Sequence, residues 1–272
     1  MRIPFTKMHG LGNDFVIIHT QGGIQLPGET IRHLGDRQTG IGFDQLLWLE
    51  PPKTDQGDVF YRIYNADGNE VEQCGNGARC IARLIGTEAG QKLVLEHPGG
   101  LTRALLEDNG DVSVELGEPD FKPESLPFNA AGSGPPYLIV AGDQSIDIHI
   151  VSIGNPHAVI FVDDIDEAPV KTLGPLLESH AQFPNRANIG FMQVVAADRI
   201  RLRVFERGVG ETRGCGTGAC AAVVVAQSVS KLNSVVEVEL PGGCVTVKWD
   251  GPGSPVWLTG EAVTVFEGTI II

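Results

Sequence analysis

No run of about 18 apolar residues, the length a membrane-spanning helix needs, occurs in this 272-residue chain. Positive charge is scarce: 20 Lys and Arg stand against 34 Asp and Glu, a net charge of −14, so the long-range field repels phosphate backbones and anionic membranes. Cysteine is sparse and odd in number, with Cys74, Cys80, Cys215, Cys220 and Cys244 only. The first residues, Met1 to Lys7, hold no apolar signal-peptide core. Free thiols in a cytoplasmic protein are therefore expected, rather than a disulfide frame. No Cys-x-x-Cys or paired-His spacing points to zinc. A P-loop and a dinucleotide fingerprint are missing, and no lysine stands out as a pyridoxal anchor, so no cofactor is expected. A phosphatase-like loop needs Arg six positions after Cys, but Cys74 has Arg79 five on and Cys215 has none nearby. What is abundant is turn chemistry: 35 glycines and 17 prolines exclude an all-helical fold.

The chain is written twice. Tyr61 to Ala78 lies on Leu202 to Ala219 without a gap, placing Glu70 on Glu211 and Cys74-Gly75-Asn76-Gly77-Ala78 on Cys215-Gly216-Thr217-Gly218-Ala219. Upstream, Ile41 to Gln45 resembles Ile189 to Gln193, and Gly12-Asn13-Asp14 resembles Gly154-Asn155-Pro156. Three blocks in one order indicate a duplicated domain, with a period far too long for a solenoid. The boundary falls in Gly117 to Pro123, giving lobes 1–118 and 119–263.

Short β-rich runs recur in both halves, among them Phe15 to His19, Gln45 to Glu50, Val59 to Tyr64, Ala158 to Val162, Ile200 to Phe205 and Val235 to Leu240. Helical signals are fewer: Glu29 to Leu34, Asn76 to Thr87, Leu173 to His180 and Thr217 to Val229. The last is apolar on nearly every side from Ala219 to Ala226, which means burial all round. The pattern predicts an α/β (α+β) protein in which a curved sheet wraps one helix per half.

Cys74 and Cys215 each precede the first turn of such a helix. Unpaired N–H groups and the positive dipole end there favour an anion, either a thiolate of lowered pKa or a substrate carboxylate. If a pseudo-two-fold axis relates the halves, two sulfurs flank one bound molecule in the cleft between the lobes. That arrangement suits stereoinversion, in which one group removes a carbon-bound proton and the other returns one to the opposite face. It also predicts reversible inactivation by mild oxidation. Cys80, Cys220 and Cys244 read as small buried hydrophobes.

Several separated motifs carry a resemblance: Met8-His9-Gly10-Leu11-Gly12-Asn13-Asp14-Phe15, Asn65-Ala66-Asp67-Gly68 leading to Gln73-Cys74-Gly75-Asn76-Gly77-Ala78-Arg79-Cys80, Gly154-Asn155-Pro156-His157, and Glu206-Arg207-Gly208 followed by Cys215-Gly216-Thr217-Gly218-Ala219-Cys220. Together, from end to end, they resemble the diaminopimelate epimerase family. The resemblance implies two barrel-like, mostly antiparallel lobes around central helices, the first completed by a C-terminal strand at 264–272. It implies cofactor-independent interconversion of LL- and meso-2,6-diaminopimelate, on the route to lysine and peptidoglycan, with Cys74 and Cys215 as acid and base. It assigns substrate binding to Asn13, Gln45, Asn65, Gly75, Asn76, Asn155, Asn188, Glu206, Arg207, Gly216 and Thr217, and thiol tuning to His157 and Glu206. A homodimer is implied too, although Phe266 stands where some members have a dimer-contacting Tyr, Arg213-Gly214 where Ala is common, and Thr217 where Ser is also found. Two rivals remain: a proline or hydroxyproline racemase with paired thiols, and a non-catalytic amino-acid-binding protein.

Overall fold

The computed structural model describes residues 2–21, 26–71, 74–130, 132–229 and 232–271. Gln73 of the cysteine motif and Ile272 of the expected last strand lie outside the described residues. The chain divides into two compact units, Met1–Glu115 with Thr259–Ile272, and Leu116–Leu258.

In the first unit the elements are β1 (Arg2–Gly10), β2 (Asn13–His19), α1 (Gly28–Gly35), β3 (Gln45–Glu50), β4 (Val59–Asn65), β5 (Glu70–Val71), α2 (Gly75–Ile85), β6 (Lys92–His97), β7 (Gly100–Leu106) and β8 (Val112–Glu115). β1 and β2 are antiparallel, β2 and β3 parallel, β3 and β4 antiparallel, β4 and β6 parallel, and β6, β7 and β8 antiparallel. A strand at Val263–Ile271 lines the other side of β1, antiparallel. The two parallel steps need crossovers, and α1 and α2 supply them.

β2 and β3 are apolar without alternation because both of their faces are covered. Val16, Ile18, Leu46 and Trp48 share a cluster with Ile31 and Leu34 of α1. The alternate residues Phe15 and Leu47 point to α2, where a methyl group on Gly77 would sit 3.4 and 3.2 Å from them. Helix α2 touches β1, β2, β6, β7 and β8. Six strand spacings of about 4.8 Å separate β1 from β8, roughly 29 Å on a flat sheet and far more than a helix about 10 Å wide can bridge. The sheet therefore curls around α2, as the sequence predicts.

In the second unit the order repeats: β9 (Tyr137–Ala141), β10 (Gln144–Ser152), β11 (Pro156–Phe161), α3 (Val170–Glu178), β12 (Asn188–Ala196), β13 (Arg199–Glu206), β14 (Gly210–Thr212), α4 (Gly216–Ser228), β15 (Val235–Leu240) and β16 (Gly243–Trp249). β17 (Val256–Gly260) and the strand already described, β18 (Val263–Ile271), follow. β10 to β16 reproduce the antiparallel, parallel, antiparallel, parallel, antiparallel sequence of β1 to β7. Helix α4 is buried from Ala219 through Ala226, touching β10 to β13 and β16.

Two expectations are corrected. The match of Ile41–Gln45 with Ile189–Gln193 is out of register: Gln45 lies opposite Phe15 in a parallel ladder, and its counterpart is Asn188, opposite His157. The glycines that suggested the match have different causes. Gly42 takes a positive φ of 74° in a loop, whereas Gly190 lies within β12. Cys244 is exposed, not buried, because the alternation of β16 puts Val245, Val247 and Trp249 inside and Cys244 on the solvent face. Cys80 and Cys220 are buried as expected, and burial pushes the Cys80 thiol up to about 12. Among the described residues no helix is long and apolar enough to cross a membrane.

Candidate active site

In each unit three polar side chains come to one end of the sheet beside the start of its central helix. In the first, Asn13 opens β2, Gln45 opens β3 and Asn65 closes β4, with Gln45 directly opposite Asn65. In the second, the equivalent places fall to Asn155, Asn188 and Glu206, just before β11, at the start of β12 and at the end of β13. The parallel and antiparallel ladders hold these positions side by side, so residues far apart in sequence meet at one edge.

Cys74 is the N-cap of α2 in extended conformation, φ −144° and ψ 112°. Its Sγ donates to Asn13 Oδ1 at 3.7 Å, and Asn76 Nδ2 donates to the same oxygen at 3.3 Å. Asn76 is buried, and its Oδ1 accepts from the fully buried Arg79 Nη2 at 2.9 Å. Gln45 Nε2 donates to Asn65 Oδ1 at 3.0 Å, while Gln45 Oε1 is buried with no hydrogen-bond partner among the described residues. Such an orphan acceptor at the sheet edge suits a ligand donor.

Cys215 is the N-cap of α4, φ −108° and ψ 106°, and is 5% exposed. Its Sγ accepts from the Gly218 N–H at 3.3 Å and lies 3.6 Å from Thr217 Oγ1. The expectation of a lowered pKa does not hold for this thiol. Burial, and then the negative charge of Glu206, push it well above the ordinary value, outweighing the Thr217 and Gly218 donors. Cys215 therefore carries its proton near neutral pH. Thr212 donates a hydrogen bond to Glu206, fixing that carboxylate at the end of β13.

His157 is buried and reaches Cys215 only through intermediaries. Its Nε2 lies 2.9 Å from Asn155 Oδ1, and Asn155 Nδ2 donates to Thr217 Oγ1 at 3.4 Å. An amide oxygen only accepts, so Nε2 bears the hydrogen. Burial, then the charge of Arg207, hold the imidazole down to about 3, so it stays neutral. Unfolded, it would protonate below about 6.5, so native stability should fall as the pH drops from 6.5 toward 3. Between pH 6.5 and 5 the loss is about 2 kcal/mol. Urea titrations should show that slope, and H157Q should flatten it.

Arg207 sits in the turn after β13, its backbone N–H donating to Asn188 Oδ1 at 2.9 Å and its Nη1 to the Asn185 carbonyl at 3.4 Å. The next N–H, of Gly208, donates to Glu178 Oε1 at 2.9 Å. Glu178, 4% exposed and paired with Arg186, escaped notice in the sequence because it ends a helix remote from every motif. Gly75 and Gly216 are the first helical residues, and both are buried.

Gly218 is fixed by crowding rather than by φ. A methyl group there would lie 3.0 Å from Val204 Cγ2 and 3.1 Å from Cys215 Sγ. G218A is expected to cost about 1–3 kcal/mol of stability and to displace the thiol, lowering turnover at least about tenfold. Melting curves alongside steady-state rates check both.

The diaminopimelate epimerase family model matches residues 5–122 and 149–265. A diaminopimelate epimerase of Nitrosomonas eutropha is 52% identical, covering 99% of each chain. A hydroxyproline epimerase of Agrobacterium vitis matches in structure with a TM-score of 0.71 at 15% identity, covering 99% of this chain and 92% of that one. A PhzF-family phenazine biosynthesis protein of Bacillus anthracis gives a TM-score of 0.71 at 19% identity over the whole of both chains. These two similarities are of fold, the same mixed α/β arrangement, whereas the sequence matches span both halves: the chain belongs to the diaminopimelate epimerase family.

Proposed function

We propose that the protein interconverts LL- and meso-2,6-diaminopimelate without a cofactor, using Cys74 and Cys215 as the acid–base pair. The observation that carries this is the repetition of one construction: a cysteine N-cap at the start of each central helix, flanked by polar side chains at matching strand ends. One sulfur, as thiolate, takes the α-proton. The resulting carbanionic carbon takes a proton from the other thiol on its opposite face, which inverts the centre and exchanges the protonation states of the two sulfurs. Cys215, held as a thiol by burial and Glu206, begins in the donor form. Backbone N–H groups at Gly75-Asn76 and Gly216-Thr217 hold the α-carboxylate and the charge that develops beside it. Arg207 clamps the distal carboxylate, and the amides of Asn65 and Asn188 with Glu206 hold the distal ammonium, so the enzyme selects which end to invert. His157 and Glu206 tune the two thiols.

The protein acts in lysine and peptidoglycan precursor supply, as a cytoplasmic homodimer without nucleic-acid or membrane partners. All five cysteines are thiols, which fits a reducing compartment. Val265 and Phe266, 54% and 47% exposed on β18, offer apolar surface to a second copy. The test is turnover of LL-diaminopimelate in deuterated water. Meso product carrying one α-deuterium is expected, and turnover of proline or hydroxyproline alone would overturn the substrate.

A further inference from the structure

The asparagines beside the two cysteines are turned in opposite senses. Asn155 gives its oxygen to His157 and its NH2 to Thr217. Asn13 instead gives its oxygen to Cys74 and Asn76. What turns Asn13 is a carboxylate from another loop. Asp44 Oδ2 accepts from Asn13 Nδ2 at 3.0 Å and from the Asp14 N–H at 3.1 Å. An ionised carboxylate only accepts, so it must face the NH2 end of the amide, which leaves the oxygen for the thiol.

Asp44 is itself braced. Asp14 Oδ1 accepts the Asp44 N–H at 3.0 Å, so each of the two aspartates holds the other's backbone. Arg37 Nη2 lies 2.7 Å from an oxygen of each, and Arg37 Nη1 and Lys7 Nζ bind Asp14 Oδ2 at 3.0 and 2.5 Å. Burial alone would raise the Asp14 carboxyl, but the Arg37 and Lys7 hydrogen bonds and charge hold it well below the carboxylate range. The second unit has nothing equivalent, because Pro156 stands in the place of Asp14 and Ala187 precedes Asn188 where Asp44 precedes Gln45.

We infer that Asp44 is a positioning residue of the reaction: through Asn13 it keeps a hydrogen-bond acceptor beside the Cys74 sulfur, raising that sulfur's affinity for the proton it takes from the α-carbon. The inference rests on the proposed role of Cys74, but the contact chain stands apart from it and is read separately below. Besides Asp44, the ionisable groups on the surrounding elements include Asp14, Lys7, His9, Arg37, Arg79 and Glu261, with Tyr61 and Cys80.

The experiment follows iodoacetamide alkylation of Cys74, read by peptide mapping, against pH in the full-length protein. In D44A the amide is released to turn its NH2 toward sulfur, and the midpoint is expected to fall by roughly half a pH unit, about threefold in proton affinity. D44N keeps an oxygen for Asn13 and should restore most of the shift. With N13A already in place, D44A should move the midpoint no further, whereas loss of a nearby charge would still act. Epimerase kcat/KM in D44A should fall about tenfold or more at unchanged KM. An unmoved midpoint in a folded D44A, additive shifts with N13A, or D44N behaving like D44A would each overturn the inference. Undiminished activity of Cys74→Ala would sink the proposed acid–base role instead, leaving the alkylation result to judge the contact chain.

Discussion

Cys74→Ala and Cys215→Ala are each expected to lower epimerisation by at least about 10⁴-fold, the upper range for removing a positioned proton carrier. The loss should not be conformational. Each cysteine stands at the start of a helix whose hold on the fold comes from the buried apolar residues behind it, Ala78 and Cys80 to Ala82 in α2 and Ala219 to Ala226 in α4. Trimming one sulfur, half-buried at Cys74 and buried at Cys215, costs about 1 kcal/mol, a few degrees at most in the melting temperature. A two-base scheme makes a sharper demand. The sulfur that remains can still take a proton from whichever isomer points its α-hydrogen that way, but nothing returns one to the far face. Each single variant should therefore exchange α-hydrogen with deuterated solvent in one configuration only, and the two variants should differ in which. Exchange of both configurations by either variant would mean that one base serves both faces, and the paired-thiol mechanism would fall.

Much of this arrangement is legible in the residues because duplication writes it twice. The pentapeptides at Cys74 and Cys215 mark helix starts by composition alone, and the observed helices begin one residue earlier than predicted, at Gly75 and Gly216. Five strands give little local signal. β5 and β14 have two and three residues, too short to show a period. In β1, Ile3 and Phe5 alternate inward with Arg2 and Pro4 outward, but Lys7 is buried against Asp14 and the ladder to β18 shifts register between Lys7 and Met8. A buried lysine followed by a shifted phase reads in one dimension as loop. β7 opens on Gly100, and β17 is short.

At the site, sequence supplies the residues facing the cysteines but not those behind them. Asp44, Arg37 and Glu178 act through long-range hydrogen bonds, and no local pattern encodes a partner some thirty residues away. Nor does spacing reveal the balance at Cys215. A helix start argues for a low pKa, yet burial and Glu206 reverse the sign, and both depend on how the chain packs.

Arg207→Ala is expected to have the next largest effect, raising KM for diaminopimelate by about 10² to 10³-fold with a smaller fall in kcat. Arg207 is exposed and, among the described residues, makes no salt bridge; its side chain holds only the Asn185 carbonyl, at 3.4 Å. Its backbone, by contrast, is pinned on both sides, by Asn188 on its own N–H and by buried Glu178 on the next. A fixed stem carrying an uncommitted guanidinium is the construction a carboxylate clamp requires, since little ordering remains to be done on binding. Lysine cannot form the same two-pronged contact, so Arg207→Lys should recover less than about a tenth of the loss. The clamp acts on the distal end, so a substrate analogue whose distal carboxylate is replaced by hydrogen should be turned over equally poorly by the wild type and by Arg207→Ala. If the variant handles diaminopimelate with an unchanged KM, or the analogue still distinguishes the two proteins, Arg207 does not hold the distal carboxylate, and selection of the inverted centre must come from the amides and Glu206.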